Sequence, residues 1–166
     1  MGLRPAEALT AAMAELDRCG LNEGTSGNIS VRLAEGGFLI TPSGVPAEDL
    51  TPEQMVRCTA DGTPTGGGRP SSEWRFHRDI LAQRPEVGAV VHAHPPHATA
   101  LACLRRPIPP FHYMVAVAGG EDIRCAPYAL FGTQALSDHA LDALAGRRAC
   151  LLANHGLLAL GADLDG

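Results

Sequence analysis

Gly88-Ala89-Val90-Val91-His92-Ala93-His94 is the stretch on which the reading of this chain turns. Small and β-branched residues leading into two histidines spaced two apart read as a short strand. The period of two sends His92 and His94 out of the same face. A second apolar run, Ala149-Cys150-Leu151-Leu152-Ala153, leads into Asn154-His155-Gly156, so His155 is expected at the end of another strand. Three imidazoles with a fourth position left open make the arrangement of a catalytic zinc site, not a closed structural one. The same donors also accept cobalt, manganese or iron. His77, His97, His112 and His139 lack this spacing and are expected to be packing or surface residues.

Working outward, Ser71-Ser72-Glu73 is expected to open a helix running to about Gln83, with either serine as N-cap and Glu73 in the first turn. Free N–H groups and hydroxyls at a helix start also make a seat for an anion. Gly24-Thr25-Ser26-Gly27-Asn28 and Pro42-Ser43-Gly44 are turns that offer amides of the same kind. One such turn is ordinarily only a turn, but three beside a candidate metal site point to a small phosphorylated substrate. Pro5 to Cys19 is expected to be an amphipathic helix with proline at its start and Gly20 past its end. Strands are expected at 29–33 and 38–41, joined by a hairpin at Glu35-Gly36-Gly37, with an exposed hairpin or loop over Thr59 to Pro70.

Composition narrows the class. At 166 residues the chain is read as one domain, able to bury close to about 70% of its unfolded surface. A net charge of −5 and 4% aromatics argue against a nucleic-acid surface. No apolar run reaches the roughly 18 residues of a membrane span. The start Met1-Gly2-Leu3-Arg4-Pro5-Ala6 has neither a signal h-region nor a myristoylation motif, so a cytoplasmic location is expected. Five cysteines without C-x-x-C spacing read as reduced packing residues. All 13 basic residues are arginine. Without lysine this chain can supply neither a Schiff base nor a Walker A loop, so carbonyl chemistry here needs a metal as its electron sink.

Seven ordered motifs then carry a resemblance: residues 20 to 30 (GLNEGTSGNIS), 41 to 44 (TPSG), 71 to 77 (SSEWRFH), 90 to 94 (VVHAH), 112 to 114 (HYM), 126 to 133 (APYALFGT) and 154 to 156 (NHG). Together they resemble the class II aldolase/adducin family over nearly the whole chain. The resemblance implies a single-domain α/β fold with a central, largely antiparallel sheet flanked by helices. It also implies a homotetramer with active sites between subunits. It implies a zinc enzyme that reversibly cleaves a ketose 1-phosphate, such as L-fuculose 1-phosphate, to dihydroxyacetone phosphate and a short aldehyde.

Carried over by motif, His92, His94 and His155 would be the zinc ligands, and Glu73 the acid/base that also approaches the metal when no substrate is bound. Gly27, Asn28, Ser43, Gly44, Ser71 and Ser72 would hold the substrate phosphate, with Thr25 close by, and Tyr113 would be contributed by the neighbouring subunit. An L-ribulose-5-phosphate 4-epimerase or related sugar-phosphate lyase is the rival enzyme; glutamate at position 73 is similar to the aldolase branch, where epimerases carry aspartate. A non-catalytic, adducin-like interaction domain is the rival of another class, and the retained histidines and Glu73 argue against it. The domain is expected to span 1–166 and to lack the family's C-terminal helix and tail, with Asp163-Leu164 resembling the start of that helix.

Overall fold

A computed structural model describes residues 3–165. Met1, Gly2 and Gly166 lie outside the described residues, and with them the two ends of the expected domain and the first part of the leader reading. Helix α1 (Pro5–Arg18) starts as expected, with Pro5 in its first turn and the Glu7 carboxylate accepting the Arg4 N–H at 2.9 Å. At its end Gly20 takes φ +67°, and the N–H groups of Gly20 and Leu21 donate to the carbonyls of Asp17 and Leu16. This pair of bonds is a Schellman closure, and it needs a left-handed residue at the glycine.

The remaining elements are β1 (Asn28–Arg32), β2 (Phe38–Ile40), β3 (Val56–Cys58), β4 (Pro64–Thr65), α2 (Trp74–Gln83), β5 (Ala89–Ala93), α3 (Pro96–Cys103), β6 (Cys125–Ala126), α4 (Gln134–Ala143), β7 (Ala149–Leu152) and β8 (Gly156–Gly161). Among the described residues these strands form one sheet in the order β4-β3-β2-β1-β5-β8-β7-β6. Every pairing is antiparallel except that of β6 with β7. The single-domain α/β reading therefore holds, and the Thr59–Pro70 stretch does carry an exposed hairpin strand. No helix among the described residues is long and apolar enough to cross a membrane.

Alternation along the strands divides the core. Ile29 packs with Leu9 and Met13 of α1 on one face. Val90, Leu158 and Leu160 pack with Phe76 and Ile80 of α2 and Leu136 and Ala140 of α4 on the other. Removing a ring as buried as Phe76 would cost about 3–5 kcal/mol. Asn28 and Ser30 alternate with Ile29, so β1 turns two polar side chains into the face covered by α2, where both are buried. Asn28 stands opposite His92 in the β1–β5 register.

Several local expectations are corrected. The strand expected at 29–33 begins at Asn28, because Asn28 pairs with His92. Helix α2 begins at Trp74 with Glu73 itself at the N-cap position, so neither serine caps it; instead Ser71 Oγ accepts the Glu73 N–H at 3.3 Å. That leaves Glu73 at a bend (φ −98°, ψ 13°) that turns its side chain inward, where it is buried. His155, expected at the end of a strand, follows β7 in the hairpin that leads into β8, and β8 runs through the middle of the sheet. Past β8, Asp163 and Leu164 form a bend, with Leu164 packed against the α1 side of the core.

Candidate metal centre

Two elements deliver the three histidines to one point. His92 is on β5, His94 is one residue beyond its end, and His155 comes from the β7–β8 hairpin, where Asn154 at φ +57° makes the turn. Arg105 Nε donates to Asn154 Oδ1 at 3.1 Å and the Asn154 N–H donates to Ala102 O at 2.9 Å, so α3 holds that turn in place. One ring nitrogen of each histidine lies within 4.8 Å of the others. Glu73 completes the corner: Oε2 is 3.2 Å from His92 Nε2, and Oε1 is 3.4 Å from His155 Nε2.

The donor chemistry fits a bound cation. His92 Nδ1 lies 2.8 Å from the Leu157 carbonyl, which can only accept, so Nδ1 carries the hydrogen. In the neutral ring Nε2 is then a bare lone pair, 2.9 Å from His94 Nε2 and facing a carboxylate oxygen. A lone pair set against a carboxylate oxygen calls for positive charge between them, either a proton or a divalent metal. A carbonyl bond that fixes the tautomer in this way is a usual support of a metal-binding histidine. Glu73 Oε1 is buried without a hydrogen-bond partner, as expected of an atom meant for a ligand.

Burial works to raise the Glu73 carboxyl, but its hydrogen bond and charge interaction with His92, the charge interaction with His155 and the Asn28 amide outweigh it and hold it at about 2. Glu73 is therefore ionised at neutral pH. Burial, joined by charge at His92 and His155, pushes His94 down to about 4, and burial together with charge at His92 also lowers His155. Both rings are thus neutral near pH 7, the form that binds metal.

The three turns expected to seat an anion converge beside this corner. Thr41 exchanges backbone and side-chain bonds with Ile29, the Ser71 N–H donates to Thr41 O at 3.0 Å, and the Ser43 N–H donates to Arg69 O at 3.0 Å. This brings Gly27-Asn28, Ser43-Gly44 and Ser71-Ser72 to one end of the sheet. Ser71 is buried, Gly27 and Ser43 are partly buried, and Thr25, Gly44 and Ser72 are open to solvent. The Asn28 carboxamide is engaged by Glu73 and His77. Tyr113 is not brought to the corner by its own chain: it is 80% exposed and stacks on His112 at 4.6 Å.

Two supports escaped sequence reasoning. Asn22 accepts the His94 N–H at 3.2 Å and lies under Gly27, where a Cβ would come within 2.1 Å of its Nδ2. His77, expected to be a packing residue, is fully buried and bonded to both Ser30 and Asn28. The nearest signal for either was membership of a motif, at 20–30 and 71–77.

A family model described as the class II aldolase and adducin N-terminal domain matches residues 7–166. A 5-methylthioribulose-1-phosphate/5-deoxyribulose-1-phosphate aldolase of Rhodospirillum rubrum is 59% identical over 156 residues, 94% of this chain and 70% of that protein. An L-fuculose phosphate aldolase of Escherichia coli is 52% identical over 151 residues, 91% of this chain and 70% of that one. A solved structure of an L-fuculose 1-phosphate aldolase aligns with a TM-score of 0.93 at 39% identity, over 99% of this chain and 80% of that chain.

Proposed function

The chain belongs to the class II aldolase and adducin N-terminal domain family and is a class II aldolase of the fuculose-phosphate or methylthioribulose-phosphate type, and from that premise we propose how it works and on what. The substrate is a ketose 1-phosphate, cleaved reversibly between C3 and C4 to dihydroxyacetone phosphate and a short aldehyde. The named substrates of the relatives differ at the aldehyde end and share a phosphorylated ketose end. The convergence of Gly27, Asn28, Ser43, Gly44, Ser71 and Ser72, with Thr25 near, supports recognition of that shared end.

His92, His94 and His155 would hold the metal, zinc by preference, with Glu73 in reach of it. When bound, zinc supplies a Lewis acid for the negative charge left at C3 as the bond breaks. Glu73, ionised and with Oε1 unpaired, accepts and returns a proton at C3. Neutral amides and hydroxyls fix the phosphate, so the three-carbon fragment keeps its orientation in either direction of reaction. Tyr113 acts on the C4 hydroxyl from a neighbouring copy. Its own exposure, with Phe111 at 73% and Val117 at 63% beside it, supports a homotetramer with sites between subunits. Five free cysteines accord with a cytoplasmic enzyme.

The observation that carries this reading is the meeting of three histidine nitrogens and the unpaired Glu73 Oε1 in one corner, where His92 and Glu73 are buried and His94 and His155 partly so. It is tested by dihydroxyacetone phosphate release from L-fuculose 1-phosphate and from 5-deoxyribulose 1-phosphate by zinc-loaded and chelator-treated protein. Chelator-sensitive cleavage of either sugar is expected. Epimerisation of L-ribulose 5-phosphate without cleavage of either would overturn the aldolase assignment.

A further inference from the structure

We infer that His77 is a positioning residue: through the Asn28 carboxamide it holds Glu73 Oε2 as an acceptor, leaving Oε1 as the one oxygen of Glu73 that takes up the proton. This rests on the aldolase reading for the meaning of the proton. The geometry beneath it is independent of that reading.

The direction of each bond follows from the one before it. Glu73 is a carboxylate, so Asn28 must turn its NH2 toward Oε2, and Nδ2 lies 3.0 Å away. The amide oxygen of Asn28 then faces His77, 2.5 Å from Nε2. An amide oxygen only accepts, so Nε2 carries the ring hydrogen. Nδ1 is left as a lone pair, and the Ser30 hydroxyl, 2.7 Å away, donates to it. The result is a one-way series in which Ser30 donates to His77, His77 to Asn28 and Asn28 to Glu73. Serine, histidine and asparagine are all buried, with His77 at 0% exposure, so no water competes for these bonds. Burial also keeps the His77 ring neutral near pH 7, as the series requires.

Without the His77 donor the Asn28 amide is held at one end only, by the carboxylate it is meant to position, and its buried oxygen is left unpaired. A flipped amide would set Oδ1 against Oε2, two acceptors in contact, and push the carboxylate off its seat. The series thus binds no substrate and touches no reacting atom. It sets which oxygen of Glu73 faces the His155 side of the corner, 3.4 Å from its Nε2.

Two glutamine and asparagine variants separate this role from simple core packing. In His77→Gln the side-chain amide nitrogen overlays the ring Nε2 and can still donate to Asn28, whereas the shorter amide in His77→Asn reaches only the Ser30 side. With zinc content and melting temperature measured alongside, His77→Gln is expected to keep kcat within about fivefold of the parent. His77→Asn is expected to lose about 100-fold in kcat with KM changed less than about threefold. Equal kcat in the two variants, or losses that track melting temperature alone, would overturn the positioning role. Nitrogen-15 NMR of the unaltered protein, with and without zinc, gives a readout free of turnover: His77 should be the Nε2–H tautomer, and the Nδ1–H tautomer would overturn the series. If the unaltered protein cleaves no ketose 1-phosphate, the aldolase reading fails while the tautomer still decides the series.

Discussion

The metal corner and the Tyr113 segment are assigned to one active site, yet the chain treats them in opposite ways. At the corner His92 is fully buried, its tautomer is fixed by the Leu157 carbonyl, and Glu73 is held by Asn28. In the short 3-10 turn Tyr113–Ala118, Tyr113, Met114 and Val117 are more than half exposed and the tyrosine stacks on His112. On the proposed reading, the difference teaches that the part which would hold the metal and move the first proton is finished within one chain. The part proposed to meet the aldehyde is left exposed by its own chain.

The largest effect is expected from breaking the finished half. His94→Ala should lose bound zinc by elemental analysis and lower turnover by more than about 1000-fold, because a two-histidine site no longer holds the metal. Retention of stoichiometric zinc would remove His94 from the ligand set. Next, Glu73→Gln should keep its zinc and lose about 100- to 1000-fold in kcat, as expected when a general base is replaced by its isostere. Normal turnover in that variant would refute the base assignment.

The unfinished half should answer differently. Tyr113→Phe is expected to lower kcat by about 10- to 100-fold with zinc and melting temperature unchanged. Val117→Glu should shift sedimentation toward the monomer and lower turnover while zinc stays bound. A monomeric variant with full activity would show that the corner suffices without a neighbour.

The smallest effect is on stability with pH. His77 has its pKa depressed in the fold from 6.5 to about 3, chiefly by burial and then by charge at His92. Below 6.5 the unfolded chain therefore binds more protons than the folded one. The stabilisation is complete above 6.5 and declines as pH falls toward 3, by about 1.4 kcal/mol per pH unit for this single group. His94 and His155, also depressed by burial, add to that slope in the metal-free protein, so denaturant unfolding between pH 6 and 5 should be shallower in His77→Gln than in the parent by about that single-group amount.

Much of this was legible because it is local. Alternation in Gly88–His94 placed two histidines on one face, and Pro5 and Gly20 bracketed α1 within a residue. What stayed hidden was set at long range. Gly156–Gly161 reads only as an apolar continuation of the motif until β5 and β7 pair on either side of it. His77 meets partners 47 and 49 positions away in sequence, which no spacing rule connects. Ser71 and Ser72 are good caps by residue type, but the chain gives the N-cap position to Glu73 because a buried carboxylate is needed facing His92. The exposure of Tyr113 likewise has no local signature, since an aromatic in a turn can pack inward as readily as out.

The bond from His92 to the Leu157 carbonyl joins two adjacent strands that pair His92 with Leu158. A slip of one residue between them would send every side chain of β8 to the opposite face and carry that carbonyl away from the imidazole. His155, just ahead of β8, would be displaced in the same movement. A metal held by these histidines would therefore bind the aligned sheet and not its misregistered competitors, and would favour that alignment by mass action.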